Sequence, residues 1–346
     1  RLKMKKWFIV LSLLVITSLI ASSVCLGAKP KKKKVPATTP HYVKGTTQLS
    51  GEKAQFGVTY TLGKQYPFNI TIKSAEYTVK PVLVGDRLYI ANAKEKLLVL
   101  HMIYHNPVKA DRFVRWDSFR FTAVDAQDQN HTGPEALGAE NDHSSVAMSL
   151  KPAQKKEVYA VMVVPAAGEM PKLIIENNEK LVLRYDLKGK VKALPAPYAD
   201  SADSTGATAL EKVTATTDDY YPLERFEFKL NSVSNLDVAN IGNNKLGKNE
   251  KFVEIKFNLK NSSPSNQSFR WDTFDRRLID ADGINVGKCI DVFQASKDTS
   301  FSGNIEPGQD FNLRYVFRIP SDTTLKTFSV KRGDGRTFEF DISGMQ

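Results

Sequence analysis

Two copies of a five-residue string, Arg115-Trp116-Asp117-Ser118-Phe119 and Arg270-Trp271-Asp272-Thr273-Phe274, stand 155 residues apart (271 − 116). The same offset relates Glu95-Lys96 to Glu250-Lys251, Asn106 to Asn261, Asp125-Ala126 to Asp280-Ala281, Pro152 to Pro307, Pro165 to Pro320 and Asp186 to Asp341. A one-residue slip in a strand turns every side chain to the opposite face, so copies that hold register over this span share one architecture. The chain therefore reads as a duplicated domain. A first unit is expected over residues 51–190, a polar, flexible linker over 191–219 and a second unit over 220–346. At their starts, Tyr66-Pro67 matches Tyr221-Pro222, while Ile70 and Ile72 match Phe226 and Phe228 at an offset of 156 (226 − 70), a slip of one residue.

Periodicity assigns the fold class. Val253, Ile255, Phe257 and Leu259 alternate with Glu254, Lys256, Asn258 and Lys260, the period-2 pattern of a sheet with one wet face. Phe311, Leu313, Tyr315, Phe317 and Ile319 form a second such run, and turn chemistry at Asp280-Ala281-Asp282-Gly283 and Glu306-Pro307-Gly308-Gln309 separates the two. Phe56, Val58, Tyr60 and Leu62 suggest a leading strand. No helical period is evident beyond the amino-terminal segment. Each copy is expected to be an antiparallel all-β unit of about seven or eight strands, a two-sheet sandwich. Trp116 shares strand parity with Val114, and Trp271 with Phe269, which places both tryptophans in the core, with sugar stacking as the alternative role. Phe119 and Phe274 have the opposite parity and imply a bend; Arg115 and Asp117, like Arg270 and Asp272, are spaced to pair there.

The strand from Phe252 to Asn261, the Phe274 strand running into Asp280-Ala281-Asp282-Gly283, and the Ile305-Glu306-Pro307-Gly308 turn leading to Tyr315-Val316-Phe317-Arg318-Ile319-Pro320 resemble the telokin-like, immunoglobulin-like domains of unknown function found in bacterial lipoproteins and secreted proteins. The second copy matches over most of its length. The first lacks the glycine equivalents, with Gln127-Asp128 and Ala153 in their places. The resemblance implies two tandem immunoglobulin-like sandwiches and carries over no catalytic residues.

The formal charge of +11 suggests a nucleic-acid or membrane binder until it is located. Residues 1–34 hold nine Lys or Arg and no acid, which leaves +2 for the rest, so nucleic acid is not an expected partner. Residues 1–28 read as a signal peptide: a basic start, an apolar run from Trp7 to Ala21 and small residues to Ala28. Cleavage near Gly27 or Ala28 is the expectation; an uncleaved anchor and lipidation at Cys25 are the alternatives and the only expected routes to a membrane. Residues 29–50, rich in Lys, Pro and Thr, are too polar to bury a core and read as a tether. Cys289 then stands alone without a disulfide, in an apolar setting that suits a small buried hydrophobe.

The chemistry is sparse. His101 and His105 lie four apart on a strand, roughly 13 Å at 3.3 Å per residue, too far to share an ion. A loop site using His131 or His143 is a lesser alternative, and Asp280-Ala281-Asp282-Gly283-Ile284 lacks the fifth-position oxygen ligand of a helix-loop-helix calcium site. No phosphate loop, nucleophile elbow or zinc-protease motif occurs, so no cofactor is expected. The copies differ on one face. Glu254, Lys256, Asn258, Arg314 and Arg318 correspond to Val99, His101, Ile103, Tyr159 and Val163, so the first copy carries an apolar face that something should cover. The second domain, the Phe56–Leu62 segment and another chain are the covers considered. Val99, His101, Ile103, Tyr159, Val161 and Val163 are thus the candidate interaction residues. The sequence points to a non-catalytic exported envelope or secreted protein that binds another such protein, or whose contact is only between its domains. The alternative is a metal- or sugar-binding protein or enzyme with a loop-assembled site.

Overall fold

A computed structural model describes residues 53–217 and 219–345. The signal segment with Cys25, the basic tether and His41 lie outside the described residues. Alternation of apolar and polar residues makes the long strands expected of it, the leading strand expected from Phe56 begins only at Tyr60, and every regular element among the described residues is a strand. The first part of the chain contains β1 (Tyr60–Leu62), β2 (Phe68–Thr78), β3 (Val82–Val84), β4 (Arg87–Tyr89), β5 (Glu95–His105), β6 (Arg112–Arg115), β7 (Phe119–Val124), β8 (Asn130–Gly133), β9 (Ala136–Ala139), β10 (Ala147–Leu150), β11 (Lys155–Pro165), β12 (Lys172–Asn177), β13 (Val182–Asp186) and β14 (Val191–Lys192). The rest contains β15 (Lys212–Ala215), β16 (Tyr221–Leu223), β17 (Phe226–Leu236), β18 (Asn240–Ile241), β19 (Asn244–Lys245), β20 (Glu250–Asn261), β21 (Gln267–Phe269), β22 (Asp275–Asp280), β23 (Asn285–Val286), β24 (Lys288–Gln294), β25 (Gly303–Ile305), β26 (Asp310–Pro320), β27 (Leu325–Lys331) and β28 (Thr337–Asp341).

The strand order of one half recurs in the other. Sheet β1-β2-β5-β11-β9 is matched by β16-β17-β20-β26-β24, sheet β13-β12-β7-β8 by β28-β27-β22-β23, pair β6-β10 by β21-β25 and hairpin β3-β4 by β18-β19. Even the bulges repeat, between Ile72 and Ser74 in β2 and between Leu230 and Ser232 in β17. One corner shows why the strand must end in Asn. The Asn106 side chain donates to the Leu150 and Ala110 carbonyls and accepts from Val108 N–H, while Asn261 donates to Ile305 and Ser265 and accepts from Ser263 N–H. Both are buried, and each satisfies three backbone groups that a corner leaves unpaired.

Strand register corrects the match at the start of the copies. Ile70 faces Tyr104 and Phe228 faces Leu259, so β2 and β17 correspond at 158 (228 − 70), not 156. Tyr221 corresponds to Tyr60 rather than Tyr66, since each pairs with the following strand and each hydroxyl accepts an N–H five residues earlier, from Gln55 to Tyr60 and from Thr216 to Tyr221. Five residues, Gly63 to Pro67, connect β1 to β2, whereas two, Glu224 and Arg225, connect β16 to β17. The repeated Tyr-Pro dipeptide is a coincidence, and Tyr66 lies in a loop three residues longer in the first copy.

The segment between the copies is not a loose linker. β14 pairs in parallel with β2, β15 pairs in parallel with β28, and Leu194, Tyr198, Ala207 and Ala209 are buried in a core continuous with both halves. Lys212–Ala215 therefore belongs to the second copy's sheet, ahead of the boundary expected at 220. Two cations close the joint. Lys96 is buried and donates to the carbonyls of Ala166 (3.0 Å), Ala207 (2.6 Å) and Gly168, with its ammonium 4.6 Å from the Tyr77 ring centre. Arg336, from the second copy, donates to the carbonyls of Leu210 (3.0 Å), Asn92 (3.0 Å), Ala91 (3.5 Å) and Glu95. Every acceptor is backbone, so the joint satisfies carbonyls that a buried connection would otherwise strand.

Candidate functional site

The repeated Arg-Trp-Asp-Ser/Thr-Phe string forms the turn by which the chain leaves the small pair β6-β10, or β21-β25, for the facing sheet. Ser118 N–H donates to the Arg115 carbonyl (3.1 Å) and Arg115 N–H donates to Ser118 Oγ (2.9 Å). Thr273 and Arg270 repeat the exchange at 3.0 and 2.8 Å. Arg115 pairs with Asp117, and Arg270 with Asp272 at 3.3 Å. The turn lifts two residues out of the pleat, so parity counted through it fails. Phe119 and Phe274 enter the core, and the tryptophans expected there stand outside it, Trp116 51% and Trp271 50% exposed. Of the eight residues read as a core motif, only the two phenylalanines are core.

Around Trp116 the first copy displays more aromatic surface. Tyr66 is 60% and Phe113 59% exposed. The Tyr66 loop is fixed from below, because the Glu179 carboxylate accepts the N–H groups of Lys64 (2.8 Å), Gln65 (3.2 Å) and Tyr66 (3.0 Å), and the Arg112 guanidinium lies 5.2 Å from the Tyr66 ring centre. Two clefts flank the ridge of Phe119, Asn177 and Asn178. One, of about 380 Å³, runs past Trp116, Arg120, Glu135, Glu176 and Lys180; the other, of about 350 Å³, runs past Tyr66, Asp111 and Phe113. The second copy differs at this end. Ser268 replaces Phe113, the two-residue connection between β16 and β17 leaves no counterpart of Tyr66, and the Arg276 guanidinium stacks 5.2 Å from the Trp271 ring centre.

The second predicted site is the outward face of β5 and β11. Val99, Tyr159 and Val161 are buried there, and His101, Ile103 and Val163 half-buried. The cover is the β3-β4 hairpin, whose Val82, Val84 and Tyr89 pack on this face together with Ala91 and Ala136. Neither the second copy nor the Phe56–Leu62 segment contributes to this cluster. The presumed solvent charges of the second copy are also covered: Glu254 and Arg314 are buried, paired at 3.0 Å, and Ile241 of β18 packs alongside on Phe252, Phe293 and Val316. The paired positions have exchanged chemistry. Tyr159 lies across Gly138, where an added Cβ would meet its ring at 2.3 Å, and at the equivalent places the Arg314 guanidinium lies 5.7 Å from the Phe293 ring centre.

At the hairpin's edge a cleft of about 390 Å³ gathers Glu76, His101, Glu140, His143 and Tyr159. His101 Nδ1 contacts Glu140 at 2.6 Å and its Nε2 lies 3.7 Å from Glu76. The Tyr159 hydroxyl donates to the Leu83 carbonyl (2.5 Å) and contacts His143 Nδ1 (3.1 Å), and Gly85 N–H donates to the His143 carbonyl (2.6 Å). These bonds latch the hairpin. Burial, helped by Glu140 and Asp142, pushes the Tyr159 phenol up to about 12, so it stays protonated. His131 is 2.9 Å from Asp125, and His105 Nδ1 contacts Asn69 at 3.0 Å. Among the described residues no group of three or more His, Cys, Asp and Glu is placed to hold a metal. Cys289 is free and half-buried, and burial raises its thiol pKa. Sequence reasoning missed Tyr66, Phe113 and the clefts. The Phe113–Ser268 difference was visible at the 155 offset, but the longer loop was hidden by the Tyr-Pro match.

No protein-family model matches the chain, and no curated protein matches its sequence. Among solved structures it is similar to an uncharacterised β-sandwich protein from Clostridium difficile (11% identity, TM-score 0.27, covering 37% of this chain and 91% of that one). It is also similar to the yjhA protein from Bacillus subtilis (14%, TM-score 0.28, 36% and 97%). An exo-chitosanase from Amycolatopsis orientalis aligns over 70% of this chain and 25% of its own, at 11% identity and a TM-score of 0.19. Likenesses of this size carry no argument about activity, and the functional reading rests on the chain's own residues.

Proposed function

We propose that the protein is an exported, non-catalytic binding protein of the bacterial cell envelope or surroundings, in which two tandem immunoglobulin-like, telokin-like sandwiches act as one rigid body. Its ligand is held at the β6–β7 end of the first sandwich. The observation that carries this reading is the trio Tyr66, Phe113 and Trp116, each more than half exposed and standing beside two clefts. Aromatic surface of this kind, fixed in water, is favoured where a partner later covers it. The basic start and apolar run of residues 1–28 support export. The histidine cleft supports a structural role instead, because its groups are engaged with one another and with the hairpin.

Two measurements test the reading. Residues 1–52 fused to alkaline phosphatase should give extracytoplasmic activity. The purified chain should co-sediment with isolated envelope material, and a Tyr66→Ala/Phe113→Ala/Trp116→Ala variant should lose most of that binding while keeping its circular dichroism. Equal sedimentation of the two proteins would end the assignment of binding to this end.

A further inference from the structure

We infer that this end of the first sandwich binds an oligosaccharide of hexopyranose units, with Tyr66, Phe113 and Trp116 stacking on sugar rings and Arg120, Glu135 and Asn178 bonding their hydroxyls; the inference rests on the binding reading above and names its ligand class. A pyranose ring presents a C–H face that packs on an aromatic ring and a rim of hydroxyls that need donors and acceptors. The first copy supplies both at one place. Its aromatics do not form a continuous apolar patch with a polar edge, as a protein-binding surface does; the ridge of Phe119, Asn177 and Asn178 divides them, Tyr66 and Phe113 bordering one cleft and Trp116 the other, which Arg120 and Glu135 also line.

The polar groups divide into used and unused. Glu176 is paired with Lys180 at 2.7 Å, Asp117 with Arg115, and Glu179 is occupied by three backbone N–H groups. By contrast, the side chains of Arg120, Glu135 and Asn178 make no hydrogen bond or ion pair among the described residues, although the Arg120 charge also acts on Glu176, and they face the cleft that Trp116 borders. The loop that carries Tyr66 is also set before any ligand arrives. Gly63, at φ +108, allows the tight loop that carries Tyr66, since a Cβ there would meet the Tyr66 carbonyl at 2.2 Å. A fixed ring gives up little conformational freedom on binding, the condition under which a shallow stacking site retains affinity.

The second copy is a built-in control. It keeps the turn and Trp271 but has Asp275 for Arg120, Ile290 for Glu135, Gly333 for Asn178 and Ser268 for Phe113, and it lacks the longer loop. The fold therefore does not need the first copy's set.

The test uses the full chain without its first 52 residues in calorimetric titrations with cellohexaose, xylohexaose and N-acetylchitohexaose, followed by an array of other hexopyranose glycans. Saturable binding of at least one glycan is expected. Trp116→Ala should weaken it roughly tenfold, Arg120→Ala and Glu135→Gln roughly three- to tenfold each, and Trp271→Ala not at all. If Trp271→Ala weakens binding as much as Trp116→Ala, the assigned site is wrong. If no glycan binds while the triple aromatic variant still loses envelope sedimentation, and protease treatment of the envelope abolishes that sedimentation, the ligand is a protein; the glycan inference then fails and the binding reading stands. If sedimentation is also unchanged, both fall together.

Discussion

Lys96 carries its ammonium into a pocket walled by backbone carbonyls and the Tyr77 ring, with no carboxylate among its hydrogen-bond partners. Burial, with Arg336 adding and Asp203 opposing, pushes it down to about 8 from an ordinary 10.5. Between those values the unfolded chain binds more protons than the folded one, so this group makes stability rise with pH across the window from about 8 to 10.5. The difference in unfolding free energy between wild type and Lys96→Met should therefore grow over that range in urea titrations. A flat difference would show that the carbonyls hold the proton. The repeated turn gives a second residue-scale expectation. Trp116→Ala and Trp271→Ala should each cost about 1 kcal/mol or less, whereas Phe274→Ala should cost about 3–5 kcal/mol, as buried aromatics do. Large losses for the tryptophans would place them back in the core. At this scale the sequence indicated which string mattered and misjudged which of its residues were inside, because strand parity holds only while the pleat is unbroken. The missing glycines of the first copy had no such effect. Asp128 and Ala153 take φ of 57° and 61° where Gly283 and Gly308 take 82° and 73°, so the turns survive with backbone strain in place of glycine.

Elements were legible where the pattern was strong, in the long strands β5, β11, β20 and β26, and obscure where chain length changed. The first copy carries two three-residue extensions, one in the Tyr66 loop and one between β2 and β5, where residues 79–94 stand against 237–249. Extensions of this size cost little loop entropy and leave strand pairing intact, so a search at one fixed offset passes over them. The second lengthens the connection containing the β3-β4 hairpin, the cover that pattern reading could not supply because its strands are only three residues long. That hairpin is held by the Tyr159 hydroxyl and by Gly85 N–H on the His143 carbonyl. Tyr159→Phe removes the first bond and strands the Leu83 carbonyl, at a cost of about 1–2 kcal/mol. Amide exchange at Gly85 should then speed up several-fold while β5 amides stay protected. Unchanged exchange at Gly85 would mean that apolar packing alone secures the hairpin.

At the scale of the molecule, the recurrence that the strand order repeats was legible, and the packing of the segment between the two halves was not. Residues 191–219 look like a spacer by composition, yet a few apolar side chains, Leu194, Tyr198, Ala207 and Ala209, suffice to build the stretch ahead of β15 into the common core. Separation of the copies therefore has a cost. Residues 212–346 alone should show an all-β circular dichroism spectrum but melt below the full chain, and 221–346, deprived of β15, should melt lower still. Identical melting of the two fragments would mean that the parallel pairing of β15 with β28 adds nothing. The clasp made by Arg336 has a further consequence, for how this chain can change over time. All four of its acceptors are main-chain oxygens, which substitution at Ala91, Asn92, Glu95 or Leu210 cannot remove. One side of the joint is thus free to drift in sequence, and the other is confined to a single side chain that fans its donors over four points. Relatives that keep this joint should vary at the four acceptor positions and hold arginine at the fifth.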